Sequence, residues 1–272
     1  MGKAPHCFAV LRNKSLNWLK RKESAANSNL HIEIEATNMC NTRCLHCPHE
    51  ALVRPLGKMD LQTYQTIMNK VIEYAPSFCV VYSGVGEPLL NPSIYDFITY
   101  VAQRGRTSII TNGSVLTPEI VQRLIDAGID QITVSFNGAE KGLYELMMGG
   151  LNFEQARLNL EKAVQMTRNT LTVIGANVSV TRQTQGNLVA IQSYLEGIGI
   201  KCIYFSLCHN RGGFLKDDTV CNTPLPPSDR ERCDLFRDIM FVSWTGEVLS
   251  CYHDLAGANT LGNLAHVCAV WR

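Results

Sequence analysis

The residues best suited to chemistry fall in one short run, Cys40-Asn41-Thr42-Arg43-Cys44-Leu45-His46-Cys47, with the spacing C-x3-C-x2-C. Three thiolates on so tight a loop can each take one iron of a cubane cluster, a group that ordinarily draws on four cysteines. The fourth iron then lacks a protein ligand and is open to a small chelating molecule, as catalytic zinc sites keep one position open. The loop also admits a zinc site completed by His46 or His49. A second run, Tyr82-Ser83-Gly84-Val85-Gly86-Glu87-Pro88, has glycines that let backbone approach a ligand closely. Its carbonyls and Glu87 can accept hydrogen bonds from an ammonium group, although an ordinary glycine-rich turn uses the same residues.

These runs need elements to position them. Leu30, Ile32, Ile34 and Ala36 alternate with His31, Glu33 and Glu35, which predicts a strand running into the cysteine loop. Helical spacing follows at Leu61, Tyr64, Ile67, Met68, Val71 and Ile72, with Asp60 as its cap. Residues 79–83 read as a strand, and Asn91-Pro92 opens a helix that Gly105 ends. Strands are predicted over 107–111, 131–136, 171–181 and 201–207, and helices from Thr117-Pro118 to Gly128, over 153–168 and over 187–197. Six strand–helix alternations imply right-handed crossovers and a parallel sheet. Polar groups gather where these strands end: Thr111-Asn112-Gly113, Ser135-Phe136-Asn137-Gly138, Thr181-Arg182 and His209-Asn210-Arg211. Ligands sit at that edge in α/β proteins. His209, Asn210 and Arg211 are candidates for substrate contact.

Composition narrows the classes. With 46% apolar residues in 272, the chain can build a large core, so its eleven cysteines are not needed as a disulfide framework. A net charge of +1 gives no basic stripe for nucleic acid. No apolar run reaches the ~18–20 residues of a membrane span. The expectation is a cytoplasmic α/β enzyme.

The cysteine loop, the stretch S-G-V-G-E-P-L-L-N-P and the stretch S-F-N-G resemble the radical S-adenosylmethionine (SAM) superfamily. Tyr144 and Gly149-Gly150 resemble the segment after the fourth strand in its SPASM and twitch branches. The resemblance implies an α/β partial (βα)6 TIM-like barrel over 29–215, after an extension at 1–28 and before a small SPASM/twitch-like region at 216–272 that is either truncated or carries an incomplete auxiliary site. It implies that Cys40, Cys44 and Cys47 ligate a 4Fe–4S cluster whose open iron is chelated by SAM. Val85, Gly86 and Glu87 match the motif that contacts the SAM amine, with Val85 in place of a glycine. Ser135 and Asn137 match ribose-contacting positions, with Asn112 near them. Arg182 matches a basic position near the SAM carboxylate, and His46 stands where a flat ring packs by the adenine.

Cys233, Gly246 and Cys251 fit the C-x12-G-x4-C start of a SPASM or twitch domain, which implies two ligands of an auxiliary 4Fe–4S cluster; Cys268 is read as a core or free thiol. The implied reaction is reductive cleavage of SAM to a 5′-deoxyadenosyl radical that takes hydrogen from a peptide or a small natural-product or cofactor precursor. The implied partner is a low-potential donor of flavodoxin or ferredoxin type. Two other classes stand beside this one. One is a non-catalytic or decayed protein with zinc or an inert cluster on the same fold, and metal content separates it. The other is an RNA-modifying enzyme, which salt-sensitive RNA binding would reveal.

Overall fold

The computed structural model describes residues 30–208, 210–215, 219–221 and 239–266. The extension at 1–28, His209, Cys233, Cys268 and most of the Pro-rich stretch at 221–229 lie outside the described residues.

The alternating stretch at residue 30 forms β1 (Leu30–Ile34). The other strands are β2 (Arg43–Cys44), β3 (Phe78–Tyr82), β4 (Arg106–Thr111), β5 (Gln131–Ser135), β6 (Met148–Gly149), β7 (Val173–Val180) and β8 (Cys202–Leu207), then β9 (Ile239–Val242), β10 (Glu247–Leu249) and β11 (Thr260–Asn263). The helices are α1 (Leu61–Tyr74), α2 (Ile94–Val101), α3 (Pro118–Asp126), α4 (Lys141–Met147), α5 (Phe153–Thr167) and α6 (Leu188–Gly197). Nine strands form one sheet in the order β11-β10-β9-β1-β3-β4-β5-β7-β8. Every pair from β9 through β1 to β8 is parallel. The six strands expected from sequence are β1, β3, β4, β5, β7 and β8, each linked to the next through a helix. The fold is the α/β, TIM-like parallel sheet that the sequence predicts; its two edges, β8 and β11, do not pair. No described helix is long and apolar enough to cross a membrane.

Local chemistry sets the helix starts. Asp60 accepts from Thr63 N at 2.7 Å to cap α1, and Thr117 accepts from Ile120 N ahead of Pro118 to cap α3. Gly128, at φ +88°, then lets the chain turn sharply out of α3 into β5.

The sheet has two unlike faces, because successive strand residues point to opposite sides. Ile32, Ile34, Val80, Tyr82, Ile109, Ile132, Val134, Ala176 and Val178 pack with helix residues such as Ile67, Phe97, Leu124, Leu160 and Leu195 in one apolar core. Tyr64 of α1 anchors it, stacked on Phe97 at 4.1 Å with its hydroxyl 2.6 Å from that of Tyr82. Register places the intervening residues on the other face: Glu33, Val81, Ser108, Thr133, Ser135, Asn177, Tyr204 and Ser206. None of them joins the core. A sheet face that carries carboxylate, hydroxyl and amide groups is suited to face a polar ligand rather than a second apolar layer.

Candidate active site

The cysteine loop leaves β1 through residues that fasten both of its ends. Thr37 Oγ1 donates to Gly57 O at 2.6 Å, and Asn38 holds Pro55 O and Gly57 N at 2.8 Å each. The middle of the loop is pinned by antiparallel pairing of β2 with β6, Arg43 to Gly149 and Cys44 to Met148. Gly149 permits this: a Cβ there would stand 2.4 Å from Arg43 O. Gly149→Ala is therefore expected to cost about 1–3 kcal/mol, because backbone rather than a flexible side chain must move. Urea unfolding checks this; an unchanged midpoint would mean that the loop is not held by β6.

Cys40 Sγ and Cys44 Sγ lie 3.2 and 3.4 Å from the single hydroxyl of Thr42. Two of the three loop sulfurs thus meet at one hydroxyl. Among the described residues, no three His, Cys, Asp or Glu side chains close on a position for one ion. Three soft donors on one short loop suit a cluster in which each thiolate takes its own iron. Burial pushes the Cys44 thiol up to about 12 and raises that of Cys47 as well. Neighbouring positive charge, such as the irons of a cluster, is what would make thiolates of them. His49 Nε2 lies 2.8 Å from Asn38 O, so that ring is engaged with the loop's own backbone. His46 is buried, its Nδ1 has no partner among the described residues, and burial drives it down to about 4, so it is a neutral ring at this edge.

The glycine-rich turn after β3 packs directly on the start of the cysteine loop. Glu87 N donates to Met39 O at 2.8 Å, and a Cβ on Gly86 would meet Thr37 O at 2.1 Å. Sequence reading aims Glu87 at a ligand ammonium. In the structure its carboxylate accepts from Leu89 N (3.1 Å), Thr111 Oγ1 (2.8 Å) and Asn112 N (2.7 Å). It thereby ties the end of β3 to the end of β4. Asn112 carries the tie onward, donating to Asn41 Oδ1 at 2.9 Å, while Asn41 donates to Ser114 Oγ at 2.9 Å. Asn159 of α5 holds the carbonyls of Gly113 and Ser114 from behind.

Burial raises the Glu87 pKa to about 7, from an ordinary 4.5, against the opposing pull of those three donors. The folded state thus keeps a proton that the unfolded state releases. The group favours folding below pH 4.5, and that contribution is lost as pH rises through 7. Over that window the metal-free wild type is expected to lose on the order of 3 kcal/mol relative to Glu87→Gln. Urea unfolding of both proteins from about pH 4 to about pH 8 checks it; parallel profiles would refute it.

The remaining expected residues divide. Asn137 is fully buried, accepting from Ser179 N at 2.6 Å and donating to Met148 Sδ at 3.0 Å, and Met148 also meets Cys44 Sγ at 3.9 Å. Ser135 lies half-buried on the polar face, and Val85 stands in the turn between the two glycines. Arg182 is exposed, with Nε donating to Cys221 O at 3.0 Å. Cys251 accepts from His253 N at 3.4 Å. Arg211 stands with its guanidinium 5.7 Å from the centre of the Tyr252 ring. Tyr252 meets Phe241, whose register partner on β1 is Glu33. Arg211 has a left-handed backbone, φ +51°, an uncommon state for a residue with a Cβ. Two supports were missed by sequence reading: the Thr42 hydroxyl, which looks like any loop threonine, and the Ser83–Glu33 hydrogen bond on the polar face.

Residues 34–179 match the radical SAM superfamily, over half of the chain and including the cysteine loop, the glycine-rich turn and Asn137. The chain belongs to the radical SAM superfamily. It is 24% identical, over 83% of its length and 71% of the relative's, to the tungsten-containing aldehyde ferredoxin oxidoreductase cofactor-modifying protein of Pyrococcus furiosus. It is 31% identical to a probable GTP 3′,8-cyclase of Methanococcus maripaludis, over 62% of this chain, and it spans only 56% of the cyclase. Among solved structures, SuiB of Streptococcus suis bound to the precursor peptide SuiA aligns with a TM-score of 0.71 at 14% identity, covering 98% of this chain and 70% of SuiB. That likeness shows the shared fold.

Proposed function

We propose that this radical SAM protein is an enzyme that holds a 4Fe–4S cluster on Cys40, Cys44 and Cys47 and binds SAM along the ends of β3, β4, β5 and β7. The observation that carries the reading is the meeting of the Cys40 and Cys44 thiols at Thr42, on a loop that also holds Cys47 and is joined through Asn41 and Asn112 to Glu87. When bound, cluster and SAM supply a reductively generated 5′-deoxyadenosyl radical that takes a hydrogen atom from the substrate. The protein's part is placement and the exclusion of water. Glu87 fixes the backbone of the glycine-rich turn against the Asn112 turn, so that the free carbonyls near Val85 and Gly86 receive the SAM ammonium. Ser135 and Asn137 stand at the ribose positions, His46 presents a neutral ring to the adenine, and Arg182 lies toward the SAM carboxylate.

The substrate is a peptide or a small natural-product or cofactor precursor, received on the polar face that carries Glu33, Ser83 and Ser135. The range of names among the relatives, from cofactor modification to nucleotide cyclisation, supports the radical chemistry and leaves the substrate open. Cys251, with Cys233, would begin an auxiliary cluster. A flavodoxin- or ferredoxin-type donor in the cytoplasm would supply the electron.

The test is anaerobic reconstitution with iron and sulfide, reduction, and measurement of 5′-deoxyadenosine after SAM is added. Formation of 5′-deoxyadenosine supports the reading; bound zinc with no iron–sulfur absorbance would overturn it.

A further inference from the structure

We propose that Cys208 and Cys221 are a redox-active dithiol that closes to an intramolecular disulfide, independently of the three-cysteine loop. Their sulfurs stand 3.4 Å apart, and both residues are buried. A disulfide is about 2.05 Å long, so closure asks for a movement of about 1.4 Å, within reach of small side-chain rotations.

The backbones that carry the two thiols are already fixed by one strand end. Cys208 N donates to Val180 O at 2.9 Å, where β7 ends. Two residues on, Arg182 N donates to Val220 O at 3.1 Å, and Arg182 Nε donates to Cys221 O at 3.0 Å. Residues 180–182 therefore hold both cysteines face to face, 13 positions apart in sequence. The surroundings are apolar: Val220 is fully buried with the pair, and Leu45 and Leu215 pack against it. Leu45 lies between Cys44 and Cys47, so the dithiol sits behind the cysteine loop. Among the described residues no metal-binding group of three includes the pair, and thiols in such contact, in a protein with a large core of its own, are better suited to reversible oxidation than to stapling the fold.

The chemistry balances. Two thiols lose two protons and two electrons and form one S–S bond, and a low-molecular-weight disulfide takes up both electrons and leaves as thiol. The route runs through a mixed disulfide after attack by a thiolate. Burial pushes the Cys208 thiol up to about 12, so it stays protonated at neutral pH and exchange is slow. Because Cys221 O also holds Arg182, the bond braces the side chain expected beside the SAM carboxylate. That consequence alone rests on the proposed function.

The experiment equilibrates the reconstituted full-length protein, without oxygen, in mixtures of reduced and oxidised dithiothreitol. The protein is then acid-quenched, alkylated and digested with trypsin. The peptides 202–211 and 217–230 carry the two cysteines. They are expected to appear as one linked species, absent in reduced buffer, dominant in oxidised buffer, and lost again on reduction. Cys208→Ser should abolish the link, and Cys202→Ser, on the same peptide, should keep it. Full alkylation of both cysteines at every ratio would overturn the proposal. So would a link that survives in Cys208→Ser, or one that joins either cysteine to the 40–47 loop.

Discussion

Cys44→Ala is expected to reduce 5′-deoxyadenosine formation to the background of the assay and to leave the protein unable to retain a full complement of iron and sulfide. Cys44 is the member of the triad fixed most firmly by the fold. It is one of the two β2 residues, paired with Met148 of β6, and its sulfur lies 3.4 Å from the Thr42 hydroxyl and 3.9 Å from Met148 Sδ. Removing it leaves two thiols where a cluster with one open iron needs three. Alanine fits without strain at this position, so the loss should appear in metal content and activity rather than in folding. Cys79→Ala is the matching control. Cys79 is buried on β3 beside His31, away from the loop, and its replacement should lower stability modestly while the cluster still forms. Iron and sulfide analysis with the nucleoside assay on both variants decides the matter. A Cys44→Ala protein that still cleaves SAM would remove the three-cysteine assignment altogether.

Much of this site was legible because its signals are local. The alternation at residues 30–36 and the caps at Asp60 and Thr117 each need only a few neighbouring residues, and each element formed within two residues of its expected bounds. What escaped was set by distant partners. A two-residue strand such as β6 has no periodicity to read; its one trace in the sequence is Gly149, needed only because Arg43 O arrives from across the loop. β9 pairs in parallel with β1, some two hundred residues earlier, and nothing in residues 239–242 names that partner. Glu87 was legible as an acid at the edge where the strands end, but not its burial or its three protein donors, since these come from turns whose meeting depends on the whole sheet. His49 offered itself as a zinc ligand by type and spacing, and only the nearby Asn38 carbonyl shows how that ring is used.

The same dependence on distant partners underlies a second large effect, at Arg54. This residue follows the cysteine loop and reaches back to Glu35, at the end of β1, with two hydrogen bonds of 2.7 and 2.8 Å. The Glu35 side chain is fully buried and that of Arg54 is 9% exposed. Arg54 Nε also donates to Leu255 O, and Glu35 Oε2 accepts from Trp244 N. Gly84 leaves room on the opposite side, where a Cβ would come within 3.1 Å of Glu35 Cγ. One ion pair thus gathers β1, the segment returning from the cysteine loop, the glycine-rich turn and the β9–β11 region. Arg54→Met keeps most of the packing and removes the charge, stranding a buried carboxylate at an expected cost of about 3–5 kcal/mol. Adding Glu35→Gln should recover a large part of that loss, because the penalty comes from the unpaired charge rather than from the missing bonds alone. Urea unfolding of the two single variants and the double variant, all without metal, measures the coupling. A single-variant cost below about 1 kcal/mol would place the pair with surface bridges in its energetics. Retention of the cluster by the stable double variant would then separate the pair's contribution to folding from any part in holding the cysteine loop in register.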